Sequence, residues 1–357
     1  MKDITIYADV SIREAMKLLD KTAEKCLLVV DKNRKLLGTL TDGDLRRSIL
    51  SGSQVSENIS MSFCAKPITL NINNFSLKEA KVLIDKNMLD LIPLVNQDGV
   101  VEDYITRARF GDEISPKKLL KDVPVVIMAG GKGTRMDPFT KILPKPLIPI
   151  QDKPIIEHII DRFRKFGCNE FYITVNYKSR IMKAYFEELQ PDYKVHFVYE
   201  EEPLGTAGSL RLLNNKFKKP FFVTNCDIII EGDYTSLYSF HLKDNYDLTL
   251  VASTKDYVIP YGTCELNSDG HLSHINEKPK YDFLINTGLY VLNPNILELI
   301  PRDKFYNITD LIEDAIHHTK KVGVFPVNDE AWIDVGQWAE YQKATEKMLK
   351  NSDWKIN

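Results

Sequence analysis

The sequence predicts an α/β protein in which a mostly parallel, helix-covered sheet follows a smaller duplicated unit. Three observations carry this. From Val123 onward, apolar strand-like runs alternate with segments of helical periodicity. Before that, residues 1 to about 118 repeat themselves with a period of 65. Between the two regions, Ser115 to Lys121 is short, polar and proline-containing, and reads as a linker. The expected division is 1–121, with repeats at about 1–58 and 62–118, and then 122–357.

Within the repeat, Ser11-Ile12-Arg13-Glu14-Ala15 returns as Ser76-Leu77-Lys78-Glu79-Ala80, and Leu18, Val30 and Thr41 return as Leu83, Val95 and Thr106. Each copy opens with an amphipathic helical pattern behind a serine N-cap. A short apolar strand follows, Leu27 to Val30 in one copy and Leu91 to Val95 in the other, and then a polar turn and a second strand. Two such units share a core better than one alone.

In the larger region Val125 to Met128 reads as a buried strand that empties into Ala129-Gly130-Gly131-Lys132-Gly133-Thr134-Arg135. Ile155, Ile156, Ile159, Ile160 and Phe163 sit at helical spacing, with Gly167 as a C-cap. Phe171 to Val175 is a strand, Ser179 to Leu189 a helix, Val195 to Tyr199 a strand, Gly208 to Leu213 a short helix and Phe221 to Thr224 a strand. Strands then dominate, at 247–253, 262–266 and 287–292, before helices near 309–317 and 336–349. In sheets of this kind ligands bind at the carboxyl ends of the strands.

Composition excludes several classes. The 357 residues carry a net charge of −3 with mixed signs, which argues against nucleic acid or an anionic membrane as partner. There is no apolar run long enough to span a bilayer, and the N-terminus lacks a signal-peptide core. The five cysteines are scattered and form no C-x-x-C, which fits free thiols in a reducing cytoplasm. The pairs His271/His274 and His317/His318 have no cysteine cluster beside them and are read as ordinary surface or core residues. No hexapeptide repeat announces a β-helical extension.

The chemistry gathers around the glycine loop. Glycines allow sharp turns and let backbone N–H groups approach an anion. Arg135 and Lys145 add positive donors, the latter in Pro144-Lys145-Pro146. The loop does not fit the Walker pattern, and Met136 stands where a dinucleotide fingerprint needs its third glycine. Asp227 ends the strand that includes FFVTN and, beside a phosphate loop, suits Mg²⁺.

The order GGxGTR, Thr140, PKP, then EPLGTAG at Glu202 to Gly208, resembles the sugar-1-phosphate nucleotidylyltransferases over roughly residues 122–345, nearest to their mannose-1-phosphate guanylyltransferase-like branch. That resemblance implies a Rossmann-like nucleotidyltransferase domain. It places Ala129, Gly130, Gly131, Gly133 and Thr134 on the nucleotide phosphates, and Glu202, Pro203, Gly205 and Thr206 on the base, where the Glu202 carboxylate would accept the two-donor edge of guanine. It pairs Asp227 with Asp334 on one Mg²⁺, makes Arg135, Lys145 and Asp227 the catalytic set, and assigns Gly262, Glu277, Lys278, Asn286 and Thr287 to the sugar phosphate. The implied reaction joins GTP and a sugar 1-phosphate into a GDP-sugar and pyrophosphate. Uridylyl or cytidylyl transfer on the same scaffold is the alternative, and a non-catalytic nucleotide sensor is a second.

The N-terminal repeat resembles a pair of CBS domains, in which Gly38-Thr39-Leu40-Thr41-Asp42-Gly43-Asp44 matches G-x-x-T-x-x-D. The resemblance implies a regulatory nucleotide held by Thr41 and Asp44, and a homo-oligomer; a packing or dimerisation module with no ligand is the alternative. In the second copy Arg109 stands at the position of Asp44, so the ribose carboxylate is missing there. CBS modules fused to such transferases resemble enzymes of bacterial surface-sugar and nonulosonic acid routes, which implies glucosamine 1-phosphate ahead of mannose or heptose 1-phosphate.

Overall fold

The computed structural model describes residues 3–22, 24–87, 89–110 and 120–350, the last four by backbone alone. Most of the expected linker, 115–119, and the end of the second repeat, 111–118, lie outside the described residues. The chain forms two compact units, Met1–Glu113 with Thr254–Ile285, and Ile114–Ser253 with Asn286–Asn357.

In the first unit both repeats fold alike. β1 (Thr5–Tyr7), α1 (Ile12–Thr22), β2 (Cys26–Val30), β3 (Leu36–Thr41) and α2 (Asp42–Leu50) form the first copy. β4 (Leu70–Asn71), α3 (Leu77–Asn87), β5 (Leu91–Val95) and β6 (Val101–Thr106) form the second. Each copy is a three-stranded sheet with one parallel and one antiparallel pairing. The 65-residue period holds in the register. Cys26 pairs with Thr41 as Leu91 pairs with Thr106, and a bulge interrupts both hairpins at the equivalent step. The copies meet at a bridge between Lys35 and Val100, which are themselves equivalent positions, so a local two-fold axis runs between them. Leu91 and Val101 of the second copy join the core of the first.

The expected serine caps are present. Ser11 Oγ accepts from the Glu14 N–H at 3.2 Å while Glu14 Oε2 accepts from the Ser11 N–H at 2.9 Å, a reciprocal capping box. Ser76 Oγ accepts from the Glu79 N–H at 3.1 Å in the second copy.

The second unit is built on a seven-stranded sheet. Its strands are β7 (Val125–Met128), β10 (Glu170–Val175), β11 (Lys194–Tyr199), β12 (Phe221–Asn225), β14 (Leu248–Val258), β17 (Lys280–Leu292) and β18 (Val322–Val327), and the spatial order is β11-β10-β7-β12-β17-β14-β18. Small pairs lie beside it: β8 (Pro149–Ile150) with β9 (Lys153–Pro154), and β13 (Ile228–Ile230) with β19 (Trp332–Asp334). β7 runs parallel to both β10 and β12, and β17 runs antiparallel to β12. Buried residues cover both faces, with Ile155, Ile159 and Phe163 of helix α4 (Ile155–Lys165) on one and Leu210, Ile296 and Leu311 on the other. β7 is buried along its whole length, as the unbroken apolar run VVIM requires of a central parallel strand.

β14 and β17 are longer than their sequence signals. Residues 254–258 and 280–285 are numbered with the first unit, together with the hairpin of β15 (Thr263–Leu266) and β16 (Leu272–Asn276). Polar and apolar residues mix in these extensions, so the alternation that marks a strand in sequence is blurred.

Candidate active site

Two loops leave the same edge of the central sheet. Met128, the last residue of β7, is in register with Asn225, the last residue of β12, so the segments that follow them emerge side by side at the carboxyl ends of parallel strands. The first is the glycine loop. Ala129 donates its N–H to Thr174 O at 3.0 Å, which pins the loop base to the neighbouring strand. Gly131 has open space around it, and Lys132, Thr134 and Arg135 are exposed. Gly133 adopts φ +68°, and a Cβ there would meet Lys145 Cβ at 2.9 Å, so both the turn and the packing demand glycine.

Lys145 is buried and points inward. Its Nζ donates to Asp227 Oδ2 and, at 3.3 Å, to the Gly336 carbonyl. Asp227 follows β12, and Asp334 ends β19. The pairing Ile228↔Asp334 and the bond from Val335 N–H to Asp227 O at 2.9 Å bring the two aspartates together across more than a hundred residues of sequence. They converge around Gly336. A Cβ at Gly336 would lie 2.8 Å from Asp334 Oδ1, 3.1 Å from Asp227 Oδ2 and 3.5 Å from Lys145 Nζ. Burial pushes the Asp334 carboxyl above the usual range. The Asp227 charge adds to that, and Lys145 and Arg135 oppose it.

The loop Glu202 to Gly208, expected to hold the base, differs from that expectation in its inner workings. Glu202 and Pro203 are exposed. Gly205 has φ +80°, and a Cβ there would stand 2.7 Å from Tyr306 O; one at Gly208 would stand 2.8 Å from Lys304 O. Ala207 and Gly208 donate to Tyr306 O at 2.9 and 3.0 Å, and Thr206 Oγ1 accepts from the Ile308 N–H at 2.9 Å. These glycines therefore admit the protein's own backbone at 304–306, which joins the loop to the start of the helix Ile308–His317.

The carboxylate that touches the glycine loop is Glu200, which sequence reasoning missed. It is 8% exposed, and its Oε1 would lie 2.4 Å from a Cβ at Gly130, so only glycine fits over it. Its Oε2 accepts from the Leu204 N–H at 3.2 Å, and burial raises its pKa against that bond. The sequence offered only a run of three glutamates, Glu200-Glu201-Glu202, with nothing to say which one turns inward.

Of the expected sugar-phosphate residues, Asn286 donates to Tyr290 OH at 2.9 Å and accepts from the Gly288 N–H at 3.1 Å. Thr287 is buried and its hydroxyl donates to Val251 O at 2.9 Å, so it serves the sheet. Gly262, Glu277 and Lys278 belong to the first unit. There a Cβ at Gly262 would come within 3.0 Å of Glu277 Oε2, and Lys278 holds the left-handed φ of +46°. Thr41 and Asp44 form a capping box on α2: Asp44 Oδ2 accepts from the Thr41 N–H at 2.8 Å and hydroxyl at 2.6 Å, and Asp44 also pairs with Arg47.

A two-donor oxygen set suits a hard cation that keeps water and phosphate oxygens as its remaining ligands. Among the described residues no group of three or more His, Cys, Asp or Glu side chains forms a closed cage.

Loop amides, a buried lysine and converging carboxylates at strand ends are equipment for phosphate chemistry. Residues 124–351 match the nucleotidyl transferase family, and the chain belongs to it. Residues 1–51 match the CBS domain. Mannose-1-phosphate guanyltransferase 2 of Candida glabrata is 33% identical over 236 residues, 63% of this chain and 64% of that protein. The mannose-1-phosphate guanyltransferase of Saccharomyces cerevisiae is 34% identical over 230 residues, 62% of this chain and 63% of that protein. The chain thus spans a little under two thirds of these relatives. A crystal structure of HddC from Yersinia pseudotuberculosis complexed with GMP-PN superposes with a TM-score of 0.50 at 29% identity, covering 63% of this chain and 99% of that one.

Proposed function

We propose that this protein is a sugar-1-phosphate guanylyltransferase, making a GDP-sugar and pyrophosphate from GTP and a sugar 1-phosphate. The observation that carries the reading is the convergence of Lys145, Asp227 and Asp334 around Gly336. The relatives named for guanylyl transfer and the GMP-PN complex support guanine as the base. Of the two carboxylates near the base loop, Glu200 is the better reader, because it is buried under Gly130 while Glu202 is exposed. A buried acceptor discriminates against bases that leave it unpaired.

A phosphate oxygen of the sugar 1-phosphate attacks the α-phosphorus of GTP. That P–O bond forms as the bond to the β-phosphate breaks, and pyrophosphate leaves. No side-chain nucleophile is needed. The open amides at Gly131 and Lys132, with Arg135, take up charge on the phosphate oxygens, and buried Lys145 holds Asp227 in place. Members of the family generally use a divalent metal. Asp227 and Asp334 would hold Mg²⁺, which when bound supplies Lewis-acid stabilisation of phosphate charge. Gly262, Glu277, Lys278 and Asn286 are the proposed sugar-phosphate contacts.

The domain combination favours glucosamine 1-phosphate over mannose or heptose 1-phosphate, an associational ground. The same reading gives a linear division at residue 121, a cytoplasmic setting, a homo-oligomer and a regulatory nucleotide at Thr41 and Asp44. Among the described residues no helix is long and apolar enough to cross a membrane.

The test is to mix purified full chain with each NTP, MgCl₂ and a panel of sugar 1-phosphates while following pyrophosphate. GTP with one sugar phosphate should dominate. Preference for UTP or CTP would overturn the guanylyl assignment, and silence with every pair would overturn catalysis.

A further inference from the structure

Arg13 stands in the first turn of α1, where the helix dipole disfavours a cation. Its backbone is fixed there. The Ser11–Glu14 box closes the turn, and the N–H groups of Ile12 and Arg13 donate to Glu57 O at 2.8 Å and Val55 O at 3.0 Å. What the side chain gains is two carboxylates distant in sequence. Arg13 Nη1 meets Asp256 Oδ1 at 3.0 Å and Nη2 meets Asp282 Oδ1 at 3.0 Å, with side-chain exposures of only 12% for Arg13 and 9% for Asp282.

The contacts continue along the extensions of β14 and β17. Asp256 Oδ2 pairs with Lys280 at 2.9 Å, and the Lys280 hydrogen bond, helped by the Arg13 charge, holds the Asp256 carboxyl below its usual range. Lys280 is two residues beyond Lys278, whose left-handed backbone is a strained conformation for a side-chain-bearing residue. Ile259 N–H donates to Pro279 O at 3.0 Å, closing the two strands beside that segment. Lys78, the counterpart of Arg13 in the second repeat, is exposed. The duplication therefore supplied the position twice, and among the described residues it is the first copy whose charge meets the extensions of β14 and β17.

We propose that Arg13 is a positioning residue for the sugar phosphate. The N-terminal repeat grips the strands at 256 and 282, and so fixes the conformation of Glu277-Lys278-Pro279 between them. This rests on the proposed reaction, in which that segment holds the sugar 1-phosphate. Arginine suits the task because its rigid fork presents a separate nitrogen to each carboxylate, where lysine offers a single nitrogen to both. The N-terminal unit thereby acts on sugar binding and not on nucleotide binding.

The test uses the full chain with Arg13→Met, Arg13→Lys and Asp282→Asn. The last leaves α1 untouched, in case Arg13→Met disturbs its folding. Hydrogen exchange followed by peptide mass spectrometry should show amides of 254–258 and 280–285 exchanging about tenfold faster in Arg13→Met and Asp282→Asn, with those of 221–225 unchanged. In pyrophosphate-release assays with glucosamine 1-phosphate and mannose 1-phosphate as probes, KM for the sugar phosphate should rise about tenfold while KM for GTP stays within about twofold. Arg13→Lys should fall between. Unchanged exchange in both variants, or an equal rise in KM for GTP, overturns the proposal. If the wild-type chain releases no pyrophosphate from GTP with any sugar phosphate, the reaction itself is refuted, and the exchange data alone decide whether the grip exists.

Discussion

Gly336→Ala is the sharpest probe of the proposed centre. The added methyl would sit 2.8 Å from Asp334 Oδ1 and 3.1 Å from Asp227 Oδ2, against ordinary contact beginning at 3.4 Å. One carboxylate must therefore retreat by about 0.6 Å and the other by about 0.3 Å, and Lys145, already bonded to Asp227 and to the Gly336 carbonyl, is drawn along. Gly336 does not use a positive φ, so alanine brings no backbone strain and the damage is confined to the site. Misplacing a catalytic group by about 1 Å costs on the order of 10²-fold, and losing a charge-stabilising group costs about 10²–10³-fold. Gly336→Ala should lower kcat/KM at least about 30-fold, or roughly 2 kcal/mol of transition-state stabilisation, while the melting temperature moves by no more than about 3 °C. The assay is pyrophosphate release at saturating MgCl₂ with a parallel thermal melt. Activity within threefold of wild type in a folded variant would show that the space around Gly336 is not where the chemistry happens.

The remaining expectations concern separate parts of the molecule. Asp227→Ala and Asp334→Ala should each cost about 10²-fold or more in turnover and should abolish any thermal stabilisation by MgCl₂, measured by differential scanning fluorimetry. Glu200→Gln should cut kcat/KM for GTP at least about tenfold, whereas Glu202→Gln should leave it within about twofold; the reverse result would return the base-reading role to Glu202. Asp44→Ala removes the capping box of α2 and should destabilise the first unit by about 1 kcal/mol in urea unfolding; weaker ATP or GTP binding by calorimetry would add a ligand role. His241, 1% exposed, is held down to a pKa of about 4 by burial, although the charge of Asp247 favours its protonated form. Between about pH 6.5 and 4 the unfolded chain binds the extra proton, so stability should fall as pH drops, by up to about 1.4 kcal/mol per pH unit, and urea unfolding of His241→Gln should lose that part of the slope.

The sequence exposed this fold unevenly, for physical reasons. The duplication was legible because side-chain periodicity and capping serines are local, and the register Cys26↔Thr41 and Leu91↔Thr106 follows from them. Helix Ser179–Leu189 was legible to the residue, since an amphipathic pattern stops cleanly before Pro191. The meeting of Asp227 with Asp334 was legible only through resemblance. It depends on β13 and β19 finding each other, and three residues, even the isoleucine run of β13, do not say which strand they pair with. Glu200 stayed hidden because burial of an acid is decided by the loop above it, not by its neighbours in sequence. Gly205 and Gly208 were expected to approach a planar base, and the contacts the structure gives them are with the backbone of Tyr306 and Lys304.

The bond from Lys145 to the carbonyl of Gly336 spans 191 residues. On a ribosome those two residues are made far apart in time. The glycine loop, the lysine and Asp227 can all be outside the exit tunnel while Asp334 and Gly336 are still unmade. A nascent chain in that state has the glycine loop without the pair of aspartates that the proposed reaction requires. On the proposed reaction, the centre is complete only when the segment carrying Asp334 and Gly336 folds back onto Asp227 and Lys145.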